Sequence, residues 1–182
     1  METLTEIILT SAVISAAVGS VTGVIANYYF DNTKQRFHTH LDALKLSVDL
    51  EGYVLLCADK LSDNVTAMQS GGSVGTKLTS IPDLPQLPVE VGLLQFKKPE
   101  LAHRILILNQ EHEMAKQRAH FWWEVVADRD CEINATVNET AKFADKIMQL
   151  SIDLRKEFKL PTRDFIFGEF NVANIIQEHI SN

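Results

Sequence analysis

No charged residue stands between Glu6 and Asp31, no Lys or Arg precedes Lys34, and no Gly or Pro lies between Pro99 and Pro161. Each absence excludes something. With only acids ahead of its apolar run, the N-terminus lacks the basic region of a cleavable secretory signal. Two cysteines, Cys57 and Cys131, sit far apart and without metal-ligand spacing. They make neither a disulfide framework nor a zinc site, and both are expected as buried thiols. With 17 basic against 24 acidic side chains and a net charge of −7, nucleic acid is not expected as a partner. No nucleophile elbow, triad or paired catalytic carboxylates can be read, so no catalytic residue, metal or cofactor is expected.

What the sequence does have begins with the uncharged run Ile7–Phe30. At ~1.5 Å per residue, a helix of this length reaches beyond ~30 Å, enough to cross the hydrocarbon of a bilayer. The run is rich in β-branched residues (Val13, Ile14, Val18, Val21, Val24, Ile25), which in water favour strands. In lipid a lone segment must satisfy its own backbone, so the run is expected to be helical. Tyr28, Tyr29 and Phe30 fall where an aromatic belt meets the interface, and Lys34, Arg36 and Lys45 follow. By the positive-inside rule the N-terminus is outside and the larger part cytoplasmic, at the cell (inner) membrane. Ser11, Ser15, Gly19, Gly23 and Asn27 recur every four positions, with Ala12, Ala16 and Ser20 beside them. Such a ridge lets two spans approach closely, where lipid gives no hydrophobic drive for association.

After the span the pattern is helical. In 31–69, Leu44, Val48, Leu55, Ala58 and Val65 mark one apolar face and Leu46, Leu50, Tyr53, Cys57 and Leu61 another, as in a helix covered on two sides. The stretch 70–98 interrupts. Its opening SGGSVGTK has the order Gly75-Thr76-Lys77, lacks a preceding strand, and is no phosphate loop. Pro82, Pro85 and Pro88 are three apart, as are Ile81, Leu84 and Leu87, the spacing of a polyproline II edge. These residues read either as a strap across the helices or, through Pro82, Leu84, Pro85, Leu87 and Pro88, as a ligand for a partner's groove.

Pro99 opens the next helix, and Leu101, Ile105, Leu108, His112, Ala115, Ala119, Trp122 and Val126 form a heptad-like seam. The segment DRDCEINATVNET (128–140) is rich in side chains that compete with helical hydrogen bonds and is the expected break. The pattern resumes from Phe143 to Phe158, stops before Pro161, and leaves a short C-terminal helix. No strand-like alternation is legible. His112 on the seam is expected as a satisfied core histidine; His120 with Glu124, and Glu100 with His103, have helical spacing but no second copy to complete a metal site. Asn64, Asn134 and Asn138 each open an Asn-x-Thr sequence, a probe of topology in a glycosylating host.

The expected fold is all-α: an N-terminal transmembrane helix (1–30) continuing into an antiparallel cytoplasmic helical bundle (31–182) with one long Pro-rich loop (70–98). The expected function is a single-pass, membrane-anchored scaffold or interaction module that associates into homo-oligomers on the lipid bilayer and binds an undefined protein partner. The alternative is an oligomeric pore or membrane-disrupting effector, wetted by Ser11, Ser15, Thr22 and Asn27. An enzyme built around His112 is a distant third.

Overall fold

The computed structural model describes residues 2–87 and 98–180, with the side chains of 2–26, 35, 36 and 126 left out of the description. Its elements are α1 (Glu2–Gln69), α2 (Pro99–Leu106), α3 (Leu108–Val126), α4 (Arg129–Glu157), β1 (Ile166–Phe167), β2 (Phe170–Asn171) and α5 (Val172–Ile180). The protein is mostly helical, and it divides into two compact units, Met1–Leu41 and Asp42–Asn182.

In the first unit the backbone is helical from Glu2 onward, β-branched run included. Among the described residues no helix is long and apolar enough to cross a membrane. The side chains that carry most of the uncharged run, with Ser11, Ser15, Gly19 and Gly23, lie outside the described residues, as does Pro88. Asn27 is described and exposed. Beyond it, Tyr28, Tyr29, Phe30 and Phe37 are all more than half exposed.

In the second unit α1 is the central helix. Leu46, Leu50, Tyr53, Cys57 and Leu61 are all buried, in one core with Leu108, Ile147, Leu154 and Ile176 of α3, α4 and α5. The other expected face is only partly covered: Ala58 is buried, Leu44, Leu55 and Val65 are half-buried, and Val48 is exposed. The α1 end is a Schellman turn, with Gly72 N–H on the Ala67 carbonyl and Gly71 N–H on that of Met68. Gly75 then folds back so tightly that a Cβ there would lie 2.5 Å from the Asp63 carbonyl oxygen at φ +80. No other residue fits that place.

Salt bridges set the order of the remaining helices. Lys98 pairs with Glu157, Arg104 with Asp153, Glu111 with Lys146, and Arg118 with Glu139. As one number rises the other falls in step, so α2 and α3 run antiparallel to α4. The same Schellman geometry ends α4, where Lys159 takes φ +51 and Leu160 N–H reaches the Arg155 carbonyl just before Pro161.

Three expectations are corrected here. The break expected over 128–140 is narrower: the chain turns at Ala127–Asp128, and from Arg129 the segment is the start of α4. Asp128 caps it, accepting from Asp130 N–H (2.9 Å) and Cys131 N–H (3.4 Å), and the turn is completed by Ala127 at φ +52. A second interruption stands at Ile107, between α2 and α3, with neither Gly nor Pro to mark it. Trp122 leaves the seam: burial holds from Leu101 to Ala119, but Trp122 is 46% exposed. A two-residue hairpin, unforeseen from the sequence, turns at Gly168 (φ +63).

Candidate functional site

Three features of the second unit concentrate polar chemistry. The strap comes first. Leu78 N–H donates to Asn64 Oδ1 (2.9 Å), which ties its start to α1. Ile81 then fills the room left by Ala115 and Ala119 on α3. The Pro82 carbonyl accepts from Tyr53 Oη (3.0 Å) and from His112 Nε2 (2.8 Å). Since a carbonyl can only accept, Nε2 carries the proton. The imidazole lies against Phe143 with centroids 5.3 Å apart, so His112 is a buried strut with its polar need met. Burial pushes the Tyr53 hydroxyl pKa far up, keeping it a donor. Lys116 binds Asp83 at 3.0 Å, and Leu84 and Leu87 rest half-buried on the core.

The second feature was missed from the sequence. Glu51 is fully buried and receives Ser151 Oγ (2.8 Å), Arg155 Nη2 (2.8 Å) and Nε, and Arg163 Nη1 (3.0 Å). Arg155 also donates to the Pro161 carbonyl. Burial pushes the Glu51 carboxyl up, but the bonds from Arg155, Ser151 and Arg163 outweigh it and leave the pKa below its ordinary value. Its signal lay in the pattern: Ser47, Glu51, Val54 and Ala58 keep helical spacing on a buried stripe, where an acid requires a cation.

The third is a cleft of about 620 Å³ near the turn between α3 and α4, lined by Asn64, Trp122, Cys131, Asn134, Asn138 and His179 among others. A second groove of about 480 Å³ continues from it between α3 and α4, sharing Trp122, Ala135 and Asn138 and adding Met114 and Phe121. Phe121 and Trp122 are exposed here, and Trp123 and Val125 are exposed elsewhere on α3. All three asparagines of the Asn-x-Thr sequences meet in this cleft. Asn64 is 6% exposed and bonded within the fold, with no room there for a glycan.

The cysteines separate. Cys57 is buried, and burial pushes its thiol pKa up to about 12. Cys131 is only half-buried, against expectation, because the helix it opens faces the cleft; its thiol donates to Asp128 Oδ2 (3.4 Å). His120 does bind Glu124 (3.8 Å) but more closely Glu132 across the helix pair (3.1 Å). Among the described residues no group of three or more His, Cys, Asp or Glu is placed to hold a metal ion. No protein-family model, curated protein or solved structure matches the chain.

Proposed function

We propose that the chain is a single-pass membrane protein whose helical domain serves as a self-associating scaffold or interaction module at the cytoplasmic face. The observation that carries this reading is the uncharged run between Glu6 and Asp31, helical in its backbone throughout. A helix exposing no charge over that length has a ready solvent in lipid and none in water. The exposed Tyr28, Tyr29 and Phe30 at its end support an interfacial belt, and Lys34, Arg36 and Lys45 support the orientation. The ridge Ser11, Ser15, Gly19 and Gly23 supports association between spans. The polar members Ser11, Ser15, Thr22 and Asn27 favour a second reading, a pore, only if more than two spans assemble.

Four experiments test this. The full chain should stay with membranes through alkaline carbonate extraction, and Ser73→Cys in a Cys131→Ser background should resist labelling from outside intact cells. Release by carbonate defeats the anchor; efficient outside labelling reverses the orientation. Replacing Gly19 and Gly23 together by Leu should keep the protein in the membrane and shift it toward monomer, whereas Val18→Leu with Val21→Leu should do little. Equal behaviour of the two pairs would remove the ridge from the explanation. Stoichiometry in mild detergent decides between module and pore, since a dimer cannot enclose a water-filled channel.

A further inference from the structure

The cleft near the α3–α4 turn serves none of the roles above. None of its lining residues carries a formal charge, in a chain of net charge −7. What its polar groups offer is fixed by the bonds they already make. Asn64 Oδ1 is engaged by Leu78 N–H, and only the oxygen can accept there, which leaves the NH2 as the group to give. His179 Nδ1 lies 2.8 Å from the Ile175 carbonyl, so Nδ1 donates there and Nε2 is the ring nitrogen left for a ligand. Asn138 is half-buried, with its Oδ1 shielded from solvent. Asn134 is exposed, and Trp122 brings a half-exposed indole face.

A ligand that fits must be uncharged, must place donors and acceptors on neighbouring atoms, and must have one apolar face. A carboxylate or phosphate would find no cation in the lining. A hydrocarbon would strip water from the exposed Asn134 amide and give it no partner in return. A hydroxyl donates and accepts at once, and a ring bearing several of them above a C–H face is a sugar. We infer that this cleft binds a neutral sugar, one ring stacked on Trp122 with its hydroxyls among Asn64, Asn134 and His179. The volume of about 620 Å³ suits a small ligand. The site does not depend on the membrane reading and stands if that fails.

The test uses the full chain in a polyoxyethylene detergent, because glucoside and maltoside detergents carry the probe chemistry themselves. Maltose, cellobiose and diacetylchitobiose are titrated, each also as its methyl glycoside, with tryptophan fluorescence and calorimetry as readouts. Saturable binding of at least one is expected. Asn134→Ala and Trp122→Ala should each weaken it roughly tenfold or more, with unchanged melting, while Trp123→Ala, outside the cleft, leaves it intact. Binding of the methyl glycoside also supports the site and identifies an attached sugar as a source; binding of the free sugar alone supports it and restricts the source to free sugar. Absence of saturable binding across the panel, or binding that survives both substitutions, overturns the inference.

Discussion

The inner and outer faces of α4 use the same charges to different ends. On the outer face Asp153, Lys146 and Glu139 pair with Arg104, Glu111 and Arg118 across to α2 and α3, with side chains in part open to water. On the inner face Ser151 and Arg155 close on Glu51, whose side chain is wholly buried. In water each outer pair gains little, because solvent screens the attraction and already hydrates the separated ions. Inside, desolvation and attraction are both large, and the net worth of the cluster is small beside the cost of breaking it. The outer row therefore sets register, and the inner cluster fixes what is joined: α1, α4 and the segment after Pro161 through Arg163 and the Arg155 bond to the Pro161 carbonyl. Arg163 further lies 5.9 Å over the Phe167 ring, which extends the tie to the hairpin.

The largest effect should come from the inner face. Glu51→Gln leaves Arg155 buried without its counter-charge and should lower the unfolding free energy by about 3–5 kcal/mol, read by denaturant titration. Pairing Glu51→Leu with Arg155→Met should recover much of that loss, since an apolar pair carries no desolvation debt. Failure of that recovery would mean the cluster adds net stability. The acid limb sharpens the point. Because the folded pKa of Glu51 lies below the unfolded value near 4.5, its contribution is fully present above that pH and fades as pH falls through the folded pKa. Wild type should therefore lose stability below about pH 4.5 more steeply than Glu51→Gln; parallel acid limbs would refute it.

Next in size is the strap. Leu84 and Leu87 are half-buried against the core, so Leu84→Ser with Leu87→Ser should cost something under the ~1.5–3 kcal/mol per residue of full burial. An unchanged melting curve with lost partner binding would instead give Pro82, Leu84, Pro85, Leu87 and Pro88 to a partner's groove.

The helix cap should matter less. Asp128→Ala removes the acceptor for Asp130 and Cys131 N–H and should lower the melting temperature by less than the double strap substitution, with Asp128→Asn retaining most of the cap. That position also shows how far the sequence could be read. Helical periodicity located the seam as far as Ala119 and the strap's apolar edge, because both follow from burial of one face. The acidic and amide-rich stretch after Ala127 marks the turn at its first residue but then runs on as helix, since a side chain that competes with helix in the interior stabilises it at the first turn. Thr136 then resolves the conflict by donating to the Glu132 carbonyl within the helix (2.8 Å). Glu51 stayed hidden because its partners lie a hundred or more positions away, and the cleft because three asparagines from two helices converge only after folding.

The smallest effect should be on the outer face, and it tests the comparison most directly. Arg104 and Asp153 are 2.6 Å apart, with side chains a third and nearly a half exposed. Arg104→Ala should cost about 0.2–1 kcal/mol, and the cost should shrink in high salt, which screens a solvent-facing pair. The Glu51→Gln loss should barely respond to the same salt, because little solvent reaches that carboxylate. A double-mutant cycle with Asp153→Ala isolates the pair from the packing of the arginine stem on α2. If its coupling energy approached the loss seen at Glu51, the outer pair would be acting as a lock, and α4 would be held as firmly from outside as from within.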